Sequence, residues 1–315
     1  LTTKLPTNLI SMTTLANLPG KNQLNNLFIV FLNKFHQLIK MEEEFQNLCN
    51  NGNMDGLKQL LNKHTVNIHE GDEWGFALAC WNGGIPTIKF LLEYAMSINS
   101  PIDIHANGEQ GFICACGDGN IPTIKFLLEY AISINSPIDI HTSHEEGFAC
   151  VCGSGSIPAI KFLLEYAISI DSPIDIHAKN ERGFINVCTS GDISAIKFLL
   201  EYAISINSPI DIHADDEQGF ACVCWSGSIF AIKFLLEYAI SINSPIDIHA
   251  NREQGFTHAC HGNNTEIIQL LVDESMFTHI KYLYDQHNKT GYIFNPDFAL
   301  DTPDIHSYET ILFQT

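Results

Sequence analysis

The residues of this chain best suited to metal binding or nucleophilic chemistry are its 14 histidines and ten cysteines, and most of them are periodic. His69, His105, His141, His177, His213 and His249 stand 36 residues apart, as do Cys80, Cys116, Cys152, Cys188, Cys224 and Cys260. Members of one column belong to successive structural units, roughly 8–10 Å apart if the units are packed helices. Zinc–thiolate bonds are about 2.3 Å long, so one column cannot close around one ion. The pairs Cys114/Cys116, Cys150/Cys152 and Cys222/Cys224 point to nearly opposite sides of a helix and chelate no better. The cysteines are therefore expected as reduced thiols, the Cys116 column filling a tight helix–helix contact as a small hydrophobe.

An imidazole carries a donor and an acceptor on opposite edges, so each histidine of the column is expected as a neutral bridge. It would bond one backbone group in its own unit and one in the next. Catalysis would need a nucleophile or paired carboxylate beside one particular histidine, and a column repeated six times singles out none. Gly117-Asp118-Gly119 and Gly153-Ser154-Gly155 look like phosphate loops, but they follow a helix and lack a Lys-Ser or Lys-Thr, which makes them turns. No metal, cofactor or catalytic residue is expected in the repeats.

Composition narrows the class further. The chain has 315 residues, 45% hydrophobic and 17% charged, enough to bury a sizeable core. Its 16 basic against 36 acidic residues give a net charge of -20, which argues against nucleic acid as a partner. No apolar run approaches the roughly 18 residues of a membrane span. Leu27 to Leu32, the longest apolar stretch near the start, is too short for a signal-peptide core. An intracellular, cytoplasmic, monomeric protein without membrane contact is expected.

The elements that carry the columns follow from one unit, Ile102 to Pro137. Glu109 to Gly117, with Phe112, Ala115 and Cys116, reads as a short first helix ended by Gly119. Pro122 suits a first helical position, and Ile124, Leu127, Leu128 and Ala131 give a longer second helix by their spacing. That helix runs out at Asn135-Ser136-Pro137, and Ile138 to His141 lead as an extended piece into a polar tip, Thr142-Ser143-His144. Neither helix can bury its apolar face alone, so neighbouring units must share one core. The fold class expected is an all-α solenoid of seven stacked helix pairs with short fingers and no central sheet.

The segment Ala115-Cys116-Gly117-Asp118-Gly119-Asn120-Ile121-Pro122-Thr123-Ile124-Lys125-Phe126-Leu127-Leu128-Glu129 resembles the core of ankyrin repeats, and Asp139-Ile140-His141-Thr142 lies where that family has Asp-Val-Asn-Ala. The resemblance covers about Glu42 to Asp273 and implies a scaffold that binds a protein partner through its fingers and concave first-helix face. It departs from the family where Gln110-Gly111-Phe112-Ile113 replaces Thr-Pro-Leu-His, and in a unit of 36 residues rather than the usual 33. The variant pattern resembles ankyrin arrays of giant DNA viruses and some protists.

Three regions are expected. Residues 1–40 form an N-terminal extension, set apart because Met41-Glu42-Glu43-Glu44 would be an ordinary start of the native product. Leu24, Leu27, Phe28, Phe31, Leu32, Phe35, Leu38 and Ile39 within it have helical spacing, predicting a helix that packs on the first pair. Residues 41–276 form the array, a short cap unit plus six full units, and residues 277–315 a tail that covers the last pair. An adaptor or enzyme with its activity in the tail, around Asp297, Asp301, Asp304 and His306, is the alternative reading.

What varies between units points to the candidate site. The outward second-helix residues Lys89, Glu93, Lys125, Glu129, Lys161, Glu165, Lys197, Glu201, Lys233 and Glu237 repeat unchanged, whereas the tips and first helices differ. Homogenisation of a recently duplicated segment is the other source of such constancy. The candidate partner-binding residues are Asp72, Trp74, Trp81, Asn107, His144, Arg182, Asp215, Asp216, Trp225, Arg252 and His261. Trp81 and Trp225 share one column and are either exposed anchors or buried against a neighbouring helix. Asp72, Glu73, Asp215, Asp216 and Glu217 read as acidic tips that suit a partner with a basic patch.

Overall fold

The structure, a computed structural model, describes residues 21–82, 84–276, 278, 281–285 and 290–294. The tail cluster Asp297, Asp301, Asp304 and His306 lies outside them. Among the described residues fourteen helices form seven pairs: α1 (Lys21–Asn50) with α2 (Met54–Lys63), α3 (Glu70–Trp81) with α4 (Ile85–Ser97), α5 (Ala106–Asp118) with α6 (Ile121–Ser133), and α7 (Thr142–Gly153) with α8 (Ile157–Ser169). Then come α9 (Ala178–Ser190) with α10 (Ile193–Ser205), α11 (Ala214–Ser226) with α12 (Ile229–Ser241), and α13 (Ala250–His261) with α14 (Thr265–Ser275). Each first helix packs on the first helices of neighbouring units, so the fold is an all-α solenoid of helix-turn-helix repeats.

Local chemistry sets the ends of each second helix. In α6 the Asn120 side chain accepts from the Thr123 N–H at 3.2 Å, and Pro122 occupies the first turn, where no backbone donor is needed. At the other end Asn135 takes a left-handed φ of 58°, and the N–H groups of Asn135 and Ser136 donate to the carbonyls of Ile132 and Ala131. This closes the helix as a glycine would. Asn99, Asp171, Asn207 and Asn243 repeat the turn.

The core is one continuous column in which each glycine–phenylalanine pair has a steric cause. A Cβ built on Gly147 would stand 2.7 Å from Phe112 Cε1, and one on Gly183 or Gly219 would meet Phe148 or Phe184 at the same distance. Each phenylalanine ring therefore rests against the bare Cα of the next first helix, with the buried cysteine column beside it. Ile124, Leu127 and Ala131, with their equivalents, fill the second-helix side and are fully buried.

The ends depart from the repeat. Met41, Phe45, Leu48 and Cys49 of α1 pack on the array as a first helix should. The helix forms, but the expected packing is not seen at Phe31, Leu32, Phe35, Leu38 and Ile39, which are exposed because α1 outruns the shorter α3. The side chains of Leu24, Leu27 and Phe28 lie outside those described. At the other end an antiparallel hairpin of β1 (Lys281–Asp285) and β2 (Thr290–Phe294) closes the stack. Its Tyr282 is fully buried and stacks on Phe256 with ring centroids 4.0 Å apart.

Candidate binding face

The fingers are held by a buried ladder of side chains. His141 Nδ1 lies 2.8 Å from Glu145 Oε1, and its Nε2 lies 2.8 Å from the Ser172 hydroxyl at the end of the same unit. The same Glu145 oxygen accepts the Asp175 N–H of the next unit at 3.1 Å. The arrangement recurs at His69/Glu73, His105/Glu109, His177/Glu181 and His213/Glu217. The histidines are thus structural, but the expected bridge between two backbone groups is replaced by one between a carboxylate and a hydroxyl. At the last unit, where no further array unit supplies an N–H, the Tyr282 hydroxyl takes its place on the Glu253 oxygen that also meets His249.

Sequence reasoning missed the glutamates as a column, although Glu73, Glu109, Glu145, Glu181, Glu217 and Glu253 share the 36-residue step and stand four residues after each histidine. Their burial also corrects the acidic-tip reading. Glu73 and Glu217 are 7% exposed and committed to the ladder, so neither is available to a partner.

Each tip is a single turn of left-handed backbone. Ser143, His144 and Glu145 have φ of 52°, 58° and 64°, and Asp215, Asp216 and Glu217 repeat it without a glycine. Such conformations cost roughly 1–2 kcal/mol per non-glycine residue, and the ladder fixes the third residue of each turn against that cost. The first two side chains of the turn then point outward.

All eleven candidate residues are exposed. By the period they fall into four registers: Asn107 and Asp215; Asp72, His144, Asp216 and Arg252; Trp74 and Arg182; Trp81, Trp225 and His261. The first two registers are the tips, and the last two run along the first helices. Neighbouring tips touch: Asp215 accepts from Asn180 Nδ2 at 3.0 Å, and Asp216 from the Asn251 N–H at 2.7 Å. Trp81 is 50% exposed and Trp225 56%, so neither is buried and neither stands free of its neighbour. One face of Trp81 rests on Gly117 of the next unit, where an added Cβ would come within 2.8 Å of the ring, and Trp225 meets His258 edge-on at 5.3 Å. Between the two tryptophans that register carries only Gly117, Gly153 and Thr189, which leaves a low floor between two aromatic walls.

Three of the five constant outward lysines have a packing cause. Lys89, Lys161 and Lys197 each place Nζ 4.8–5.3 Å from the ring centre of the phenylalanine in the next second helix, at Phe126, Phe198 and Phe234. Their constancy is therefore no measure of drift, and the case for the face rests on its own exposed residues.

The ten cysteines are free thiols. Burial pushes Cys49 and Cys260 up to about 12 and Cys150 up to about 11, and raises Cys80, Cys116 and Cys188 further. An unfolded thiol ionises near 8.5. Above that pH the unfolded chain loses protons that the folded chain keeps, so stability present at neutral pH is lost as pH rises. Urea midpoints are expected to fall between about pH 8.5 and 11, and native thiols to alkylate far more slowly than those of the denatured chain. A midpoint that stays level over that range would contradict the burial of this column.

The geometry defines a helix-turn-helix repeat stack consistent with ankyrin-like repeats. Among solved structures it is similar to the crystal structure of the human ASB11 ankyrin repeat domain, at 16% identity and a TM-score of 0.41, over 67% of this chain and 95% of that one. No protein-family model matches the chain. No curated protein matches it either. Among the described residues no helix is long and apolar enough to cross a membrane.

Proposed function

We propose that the chain is a non-enzymatic scaffold, working in the cytoplasm, that holds a protein partner across its first-helix face and finger tips. The observation that carries this reading is the placement of every unit-specific candidate residue on one exposed surface, with Trp81 and Trp225 half-exposed at either end of a low floor. Tryptophan is the residue most enriched at binding hot spots, and these two are already immobilised on one side, which lowers the entropy lost on binding. Four units separate them, roughly 32–40 Å at helix-packing spacing. That span suits an extended segment or a helix of a partner better than a small molecule.

The tips carry both signs: Asp72, Asp215 and Asp216 are acidic, whereas Lys179 and Arg252 are basic, with Arg182 close by on α9. Lys179 pairs with Glu146 at 2.7 Å, so the basic patch proposed for the partner should meet the Asp215–Asp216 end. The test is affinity capture with the full chain, followed by titration of the captured partner against Trp225→Ala and Trp81→Ala. Each substitution should weaken binding by about tenfold or more while leaving the helical circular dichroism unchanged. Unchanged affinity in both variants would remove the face from the interface.

A further inference from the structure

We propose that the N-terminal half of α1 is a self-association helix whose exposed apolar row pairs with the same row of a second copy of this chain. Phe45 and Cys49 lie where α3 has Phe76 and Cys80, a constant offset of 31. By that register residue 39 is level with Glu70 at the start of α3, so residues 21–38, about 27 Å of helix, stand beyond the first finger. There Val30, Phe31, Leu32, Phe35, Leu38 and Ile39 are 36–64% exposed. Phe31, Phe35 and Leu38 continue, at helical spacing, the row in which Met41, Phe45 and Leu48 pack on the array.

Two observations select the occupant. The first is charge: residues 1–40 contain Lys4, Lys21, Lys34 and Lys40 and no acidic residue, while all 36 acidic residues lie beyond them. Glu70 and Asp72 are exposed at the first finger, at the foot of the free helix. The second is shape. Phe31, Phe35 and Leu38 share the helix face on which Phe45 and Cys49 pack on the array, so a second helix laid along that row abuts the first unit. Antiparallel pairing about a two-fold axis joins the apolar rows and carries the Lys21 end of each helix toward the acidic first finger of the other copy. The interface closes on itself, in place of the monomer expected from the sequence.

Sedimentation velocity of the full chain tests this. A dimer is expected at about 10 μM, and the double substitution Phe31→Asp, Phe35→Asp should give a monomer with unchanged helical circular dichroism. Glu70→Lys with Asp72→Lys, both exposed at the first finger, should raise the dimer dissociation constant about tenfold or more at low salt. A wild-type chain monomeric up to about 100 μM, or a dimer that survives the Asp pair, would overturn the proposal. So would binding of the wild-type monomer to phosphatidylserine vesicles.

Discussion

Phe148→Ala is expected to cost about 3–5 kcal/mol, the range for emptying a fully buried aromatic site. Phe148 is 1% exposed, and its ring lies on Gly183 of the following unit, so the cavity would open in the interface between α7 and α9. Relaxation into it is limited, because Glu181, two residues before Gly183, is tied to His177 and to the Asp211 N–H of the following unit. Stability in a stack of this kind is a sum of unit and nearest-neighbour terms. The loss should therefore be local: amide exchange in α7 to α10 should accelerate first, while α3 and α13 keep their protection at low denaturant. Uniform loss of protection along the array would mean that the chain unfolds as one unit and that the nearest-neighbour description is wrong.

How far the sequence revealed this architecture depends on which interaction sets each feature. The 36-residue step exposes the helix pairs because every unit solves the same packing problem, and Phe112, Cys116, Ile124 and Leu127 keep their register. The left-handed tips were not legible. Ser143, Lys179 and Asp215 do not favour positive φ as glycine does, and the turn is imposed from below by the contact between Glu145 and the next unit. The histidine column was visible and its partner was not, since Glu109 reads equally well as the opening residue of a first helix. The face of α1 followed from periodicity, which fixes the direction of an apolar row but not what lies opposite. Trp81 and Trp225 needed the neighbouring unit, because a glycine in one case and a histidine in the other decides what the ring rests on.

The ladder makes the second large prediction, and glycine and alanine at one position separate its two contributions. Removing the Glu145 side chain takes a carboxylate from His141 Nδ1, within the unit, and from the Asp175 N–H of the next unit. Hydrogen bonds to a charged group contribute about 1.5–3 kcal/mol each, so Glu145→Ala should cost about 3–5 kcal/mol. Alanine also keeps the cost of a φ of 64°, which glycine does not. Glu145→Gly should therefore be more stable than Glu145→Ala by about 1 kcal/mol, while still less stable than the parent. Glu145→Gln preserves one acceptor oxygen for both donors, but it puts an amide N–H where the buried Oε2 has no hydrogen-bond partner. Its cost should fall between the parent and alanine, about 1–3 kcal/mol. Chemical denaturation of the four proteins gives the order directly. If glycine proved no more stable than alanine, the left-handed turn would not be strained in the folded chain. If glutamine matched the parent, the second carboxylate oxygen would have to face an acceptor, and the carboxylate charge would contribute nothing to the joint between units.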